Sequence, residues 1–495
     1  MDTATICVIL SIAAGTILFL VQSGGRRRLP PWPYPFPIIG NMLQLGRYPH
    51  RYLADLSKTY GPMLSVKVGR DYLVVVSSPE LARKLVTQHD QAISARSVPT
   101  SAKAWDHDKY AMGLLPVGSL WRKLRKITKN QLFLAIKLEG SQGLRQEKLR
   151  QLHKHLRDCC AAGRAVDIGE VVHTTVLNQM SETLFSRDFG DFGSDSIRRL
   201  KDIIEDVIQS YIRPNFADLF PFLKGIDLQG ISRRAKLSAG RAFAILEDVI
   251  EMRLSSRSAL GYIKKTDILQ GLLDLMNDSE NGLTMAEIKH LLLDLIIAGV
   301  DSTASTVNWA TTELMLNPEK RAILKDELAT VIGEKKQVLE SDMLRLPYLQ
   351  AVIKEVFRYH PTGPLLVPRK ATEDIHFEGF VIPKNTRIAF NVWCTARDST
   401  IWSNPDSFEP ERFLGTDIDF IGTHFKLIPF GAGRRICPGI TLASPMIPLL
   451  LAFLVHNFDW KLEVGEEVDV AEKLYLSLRK SVSFKIIPSF NSFQK

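Results

Sequence analysis

The sequence predicts one large globular domain, built on a long buried helix and tethered by an N-terminal membrane-spanning helix. Three observations carry that prediction. Residues 3–21 hold no charged side chain and are mostly Ile, Leu, Val, Ala and Phe, a run long enough to cross a bilayer as a helix. From residue 41 onward there is no Gly/Ser-rich linker, low-complexity tract or fixed-period repeat, so a single domain over 41–495 is simpler than two or three. Thr284, Met285, Ala286 and Glu287 read as a capping box opening a helix that reaches Asn317 and Pro318, about thirty residues and roughly 45 Å. With 45% apolar and 24% charged residues among 495, the chain can bury a substantial core.

Arg26, Arg27 and Arg28 follow the apolar run. Positive charge on this side holds the downstream chain in the cytoplasm and leaves Met1 and Asp2 on the other face. A cleaved signal peptide carries its basic residues before the apolar run, so residues 1–22 are expected to be a lasting anchor. Residues 23–40 then form a basic, proline-rich hinge. Its stretch LPPWPYPFP, residues 29–37, favours an extended spacer because proline fixes φ, and Trp32, Tyr34 and Phe36 can pack on the domain or at a lipid interface.

The balance of 63 basic against 54 acidic residues, +9 overall, suits an anionic membrane or an acidic protein partner. No zinc finger, RNA-binding aromatic signature or long lysine run is present, so no nucleic-acid partner is expected. The five cysteines, Cys7, Cys159, Cys160, Cys394 and Cys437, have the spacing of neither a zinc site nor a disulfide framework, which places the domain in a reducing compartment.

Within the long helix, apolar residues dominate 291–297 until Ala298, Gly299, Val300, Asp301, Ser302 and Thr303 bring in small and polar groups. Gly299 is expected to weaken the helix and open room for a ligand. Further on, Glu355 and Arg358 stand three apart in a helix-like stretch and so share one face.

The most informative segment is FGAGRRICPG, residues 430–439. Glycines at 431, 433 and 439 allow close backbone approach and φ above zero, so that amide N–H groups can point at the Cys437 sulfur. Arg434 and Arg435 lower the cost of a thiolate, and Pro438 suits the first residue of a helix whose positive end favours the anion. Phe430 can screen the sulfur from water. The pattern fits a metal-ligating thiolate better than a structural cysteine in a glycine-rich turn.

This loop resembles the haem-binding signature of the cytochrome P-450 family, and the resemblance runs from residue 29 to about residue 488. It implies a mainly α fold with small β-sheets and haem b (iron protoporphyrin IX) as cofactor, with Cys437 as metal ligand. It also implies haem-thiolate monooxygenase activity, the thiolate pushing electron density to the iron to favour O–O cleavage. By the same resemblance Arg412 joins Glu355 and Arg358 in a buried structural network. Trp121, Arg125, Arg369 and Arg435 meet the haem propionates, with Phe430 and Gly433 completing the cofactor site.

Asp301 and Ser302, with Thr303 as the alternative hydroxyl, are implied to relay protons during oxygen activation. Ser302 stands where the family usually has Thr, with Thr303 next to it; serine keeps the donor and acceptor but lacks the methyl that restricts its rotamer. The alternative is that both hydroxyls bond back to helix carbonyls. The implied substrate lining is Met112, Ile297, Ala298, Leu365, Leu366, Val367, Leu476 and Leu478, apolar apart from few polar groups.

No Gly-x-Gly-x-x-Gly fingerprint and no spare length for a flavin domain are present, so electrons must come from another protein. The family implies an NADPH-cytochrome reductase, for which Arg122, Lys123, Lys126 and Lys129 offer a basic docking face. It also implies a single-pass protein of the endoplasmic reticulum membrane with its catalytic domain in the cytoplasm. Residues 41–46, 106–109, 140–145 and 214–218 are similar to plant microsomal members that oxidise ferruginol-type and hydroxyferruginol-type diterpenoids. An abietane-type diterpenoid phenol is therefore the expected lipophilic substrate alongside O2, with a geraniol-type monoterpene alcohol as the alternative. A non-oxygenating haem-thiolate isomerase or dehydratase is disfavoured by Asp301 and Ser302, and a non-catalytic haem binder by the lack of a signalling domain. Pro445 and Pro448 predict a kink or early break in the helix after Cys437.

Overall fold

The computed structural model describes residues 29–129, 142–223, 225–278, 282–333 and 337–490. The expected anchor, residues 23–28 of the hinge with the arginine triplet, and Gly140 with Ser141 lie outside the described residues. The longer helices are α1 (Pro49–Tyr60), α2 (Pro79–His89), α3 (Ser119–Ile127), α4 (Gln142–Ala161), α5 (Ile168–Phe185) and α6 (Asp195–Ile212). They continue with α7 (Ile231–Arg257), α8 (Met285–Leu316), α9 (Pro318–Ile332), α10 (Pro347–Tyr359) and α11 (Ile440–Asn457).

The strands are short: β1 (Met63–Val68), β2 (Asp71–Val76), β3 (Val166–Asp167), β4 (Arg369–Lys370), β5 (Ile375–Phe377) and β6 (Phe380–Ile382). After them come β7 (Arg387–Phe390), β8 (Phe458–Leu462), β9 (Glu472–Leu474), β10 (Leu478–Lys480) and β11 (Lys485–Phe490). They form one four-stranded sheet in the order β1-β2-β7-β4, a three-stranded sheet β3-β11-β8, and the pairs β5-β6 and β9-β10. The fold is thus mainly helical with small sheets, as the sequence implied.

The capping box at Thr284 forms. Its Oγ1 accepts the Glu287 N–H at 3.2 Å while its own N–H donates to Glu287 Oε2 at 2.8 Å. From there α8 runs 32 residues through the core, with Leu291, Leu292, Val300, Val307, Trp309 and Ala310 sealed from solvent. Burial of each large aliphatic side chain there contributes about 2 kcal/mol. Both α8 and α11 are long and apolar enough to cross a membrane, but 78% and 67% of their apolar windows are buried inside the fold. They are core helices.

Two expectations change. A Cβ added to Gly299 would stand 2.6 Å from Met180 Cε of α5, so this glycine lets two helices approach closely and does not make room for a ligand. And α11 continues unbroken through Pro445 and Pro448. Its packing against α8, α9 and α10 outweighs the lost backbone donors. The hinge is docked from its first described residues: Ser65 donates its N–H to Pro31 O at 2.8 Å and its hydroxyl to Pro30 O at 2.7 Å.

On α10, Glu355 and Arg358 are 0% and 1% exposed, joined by two bonds of 2.7 Å. Arg412 Nε reaches the same carboxylate at 3.1 Å, and Glu409 N–H donates to it at 2.8 Å. Arg358 also donates to the carbonyls of Ala396, Pro405 and Ser407, and Arg412 to that of Ser403. The network pins the chain around residues 396–412 onto α10. Glu355→Ala leaves two buried guanidinium groups without their carboxylate, a change that costs about 3–5 kcal/mol. That is a large share of a stability of about 5–15 kcal/mol. We expect little folded protein from this variant, and an unchanged thermal unfolding curve would refute the role.

Candidate active site

The loop before α11 closes on itself. Cys437 N–H donates to Phe430 O at 2.8 Å, and Gly431 and Gly433 hold φ of 73° and 63°. At Gly433 a Cβ would lie 2.6 Å from Asp90 Oδ1, so both backbone angle and space require glycine there. Gly439 differs from expectation: its φ is −85°, it caps α11, and the helix starts at Ile440, leaving Pro438 in the turn before it. The N-terminal end of the helix still serves the sulfur. Burial pushes the Cys437 thiol up, while the backbone N–H groups of Gly439 and Ile440 and the Arg125 guanidinium pull it back.

Arg434 takes no part in this. It is exposed, and both its N–H and its guanidinium face Asp90. Phe430 packs edge-on to Phe357, with ring centroids 5.3 Å apart, and forms the apolar side of the loop.

Around the loop gather four arginines. Arg125 donates to Ile436 O at 2.5 Å from α3. Arg435 donates to Ser94 O at 2.7 Å and to Leu115 O, its guanidinium lying 5.2 Å from the Trp121 ring. Arg369 on β4 pairs with Asp90 at 2.7 Å and donates to Ala432 O at 2.6 Å. The fourth, Arg96, donates to the carbonyls of Val367 and Pro368. Burial and then the neighbouring cations Arg435 and Arg369 lower Arg96 to about 9. Burial, Arg369 and Arg125 lower Arg435 to about 10, with Asp90 acting the other way.

Asp90 is the one carboxylate paired with this cluster among the described residues, and Arg96 Nε is buried without a partner. Crowded cations with an unpaired donor call for anionic oxygens. The two propionates of iron protoporphyrin IX would fit that demand, with the Cys437 thiolate close by for its iron. Sequence reasoning missed Arg96, which stands in a loop with no motif; only the pairing of Ala95 with Lys370 brings it alongside β4.

On α8, Ala298 is exposed and Ser302 partly so, four residues apart on a helix otherwise buried; Thr303 is buried. Ser302 Oγ donates to Ala298 O at 2.7 Å, the helix-bonded state. Asp301 is buried and engaged: Oδ2 accepts from the Ser477 hydroxyl at 2.5 Å and its N–H at 3.2 Å, and Oδ1 lies 3.6 Å from Arg479. It ties α8 to the β9–β10 hairpin, a partner that its sequence neighbourhood does not indicate. Of the expected substrate lining, Ala298, Val367 and Leu476 are exposed, and Leu366, at φ 49°, packs beside the loop. Met112, Ile297 and Leu478 are buried, and Leu365 packs with Leu53 and Leu64 in a separate cluster.

The cytochrome P450 family model matches residues 30–487. The chain belongs to the cytochrome P450 family. It is 49% identical over 487 residues to ferruginol synthase of Isodon rubescens, covering 98% of this chain and 99% of that protein. Sugiol synthase of Salvia miltiorrhiza is 46% identical over 493 residues, with 99% of each chain covered. Cytochrome P450 76T24 of Catharanthus roseus is 48% identical over 468 residues, with 94% of each covered. Among solved structures, a zebra fish cytochrome P450 with progesterone superposes with a TM-score of 0.76 at 23% identity, covering 89% of this chain and 99% of that one, which establishes the fold. This P450 is therefore a monooxygenase that carries haem, draws electrons from a reductase, and uses O2 on a lipophilic substrate.

Arg96→Leu should lower the haem-to-protein ratio of the purified P450 several-fold while secondary structure persists. A ratio equal to wild type would remove Arg96 from the cofactor site.

Proposed function

We propose that this P450 is an endoplasmic-reticulum monooxygenase, anchored through residues 1–22 and hinged over 23–40, that oxidises an abietane-type diterpenoid through its 41–495 domain. The observation that carries the substrate class is near full-length similarity to proteins named ferruginol synthase, sugiol synthase and carnosic acid synthase, at 45–49% identity. Cys437 would supply the thiolate to the haem iron. Trp121, Arg125, Arg369 and Arg435, joined by Arg96, would hold the propionates, and Phe430 would shield the sulfur. Bound haem supplies the oxidant made from O2 and two electrons.

The protein's part is to bind, orient and deliver protons. Ser302, on the open face of α8, is the hydroxyl we assign to proton delivery, ahead of buried Thr303, with Asp301 behind it. Contact with lipid is supported by exposed apolar side chains. Tyr34 and Ile38 of the hinge are 79% and 73% exposed, and Phe222 and Leu228 before α7 are 77% and 64% exposed. For the reductase, Arg122, Lys126 and Lys129 stay exposed. Lys123 is withdrawn from that face, bound to Gly282 O at 2.9 Å and to Glu287 at 3.2 Å.

Co-expression with a plant NADPH reductase tests the reading: NADPH-dependent oxidation of an abietane phenol in preference to geraniol is expected, and turnover of geraniol alone would overturn the diterpenoid assignment. Cys437→Ser should lose the red-shifted carbon monoxide band of the reduced protein; a band that persists would remove the ligand assignment. Ser302→Ala should divert NADPH consumption from product to hydrogen peroxide, cutting coupling about tenfold or more. Thr303→Ala is expected to have a smaller effect, and the reverse order would transfer the role to Thr303.

A further inference from the structure

Near the start of α8 a polar cluster stands apart from the haem loop. His107, in the segment before α3, places Nε2 3.0 Å from Asp294 Oδ1 and Nδ1 2.7 Å from His290 Nδ1. Both imidazoles are buried, and Trp105 stacks on His107 with ring centroids 4.1 Å apart. Asp294 sets the proton arrangement: if His107 Nε2–H donates to the carboxylate, His107 Nδ1 is left as an acceptor for His290 Nδ1–H. The chain of bonds fixes Asp294 from behind through its Oδ1.

Its other oxygen is barely used. Oδ2 has only a long contact, 3.4 Å, from Gly113 N–H. Two donors close to the cluster, the Tyr211 hydroxyl of α6 and Trp105 Nε1, are buried and have no partner. Tyr211 lies with its ring 5.8 Å from His107 and 6.1 Å from Trp105. An unpaired buried donor beside an under-used carboxylate oxygen is costly, and a group that both donates and accepts would satisfy the two at once.

The helical repeat says where such a group would come from. Asp294, Ala298 and Ser302 fall at i, i+4 and i+8, on one face of α8, and span about 12 Å of its axis. Asp294 is 20% exposed, Ala298 exposed and Ser302 partly so, whereas Leu293, Leu295, Ile296, Ile297, Val300 and Asp301 are buried. This is the open stripe of the helix, with the proposed proton-delivering hydroxyl at one end and the carboxylate at the other.

We propose that Asp294 Oδ2 and the Tyr211 hydroxyl form a specificity-determining subsite for a hydroxyl at the end of the substrate remote from the carbon oxidised. The ligand hydroxyl donates to Asp294 and accepts from Tyr211. The substrate is then already an alcohol or phenol, so the enzyme acts after a reaction that installs or unmasks a hydroxyl. This deepens the diterpenoid reading and rests on it for the ligand scaffold.

The test is ligand binding to the haem-loaded, full-length protein, followed by the substrate-induced spectral shift and by calorimetry. An abietane phenol is compared with its methyl ether, and geraniol with its methyl ether. Wild type should bind the free hydroxyl about tenfold tighter than the ether. Asp294→Asn, which keeps an oxygen for His107, should bring the ratio near one, and Tyr211→Phe should reduce it several-fold, both with a wild-type carbon monoxide spectrum and melting temperature. Should Asp294→Asn not fold, Tyr211→Phe decides. Equal binding of phenol and ether by wild type, or a ratio unchanged in the variants, overturns the subsite while leaving the diterpenoid reading intact. If neither abietane binds and the geraniol pair does, the diterpenoid reading falls and the geraniol ratio judges the subsite. Binding of neither pair overturns both.

Discussion

Glu355 brings one negative charge into a place where no solvent reaches, and the proximal side of the molecule is arranged around satisfying it. Burial of that carboxylate is tolerable only because Arg358 and Arg412 meet it at hydrogen-bonding distance and Glu409 N–H completes its shell. The spare guanidinium donors then have to be spent on the carbonyls of Ala396, Ser403, Pro405 and Ser407. A stretch with almost no regular secondary structure is thereby held in one conformation. From that platform the chain runs on to the Cys437 loop, which leads directly into α11.

The arginines around the loop make the opposite case. Burial lowers Arg96, Arg125, Arg369 and Arg435, neighbouring guanidinium groups lower Arg96 and Arg435 further, and Asp90 balances only part of the charge. A structural ion network closes its own account, as Glu355 does. One that is left positive, with Arg96 Nε unpaired, describes the shape of something it binds. The difference between these two groups of buried arginines separates scaffold from site without reference to any relative.

What could be read from the sequence was local. The capping box at Thr284, the Glu355–Arg358 pair and the ten residues ending at Gly439 each put their meaning within one or two helical turns, and the structure contains all three. What escaped depended on contacts between distant segments. Arg96 acquires its place from the bridge between its neighbour Ala95 and the distant Lys370, Gly299 from Met180 on a crossing helix, and Lys123 from Glu287. The break expected at the proline pair in α11 does not occur for the same reason, since a helix packed on three neighbours tolerates lost donors that an isolated one would not. Gly439 shows a finer limit: glycine permits a positive φ but does not require it, and here a helix cap uses the ordinary region.

The bond from Ser477 to Asp301 joins the hairpin that carries Leu476 and Leu478 to the acid beside Ser302. Diversification of substrate choice in such an enzyme can alter the side chains of that hairpin, whose other ties to α8 run through the Leu478 carbonyl, an acceptor for Ser305 Oγ and Trp309 Nε1. Yet one residue in the middle of it is not free to vary: whatever surrounds it, position 477 has to keep a side-chain donor, or the buried carboxylate on α8 loses its closest partner. Lineages that explore new substrates through this hairpin are thus channelled, with neighbours drifting around a conserved hydroxyl or with a compensating donor arriving elsewhere before the serine is lost.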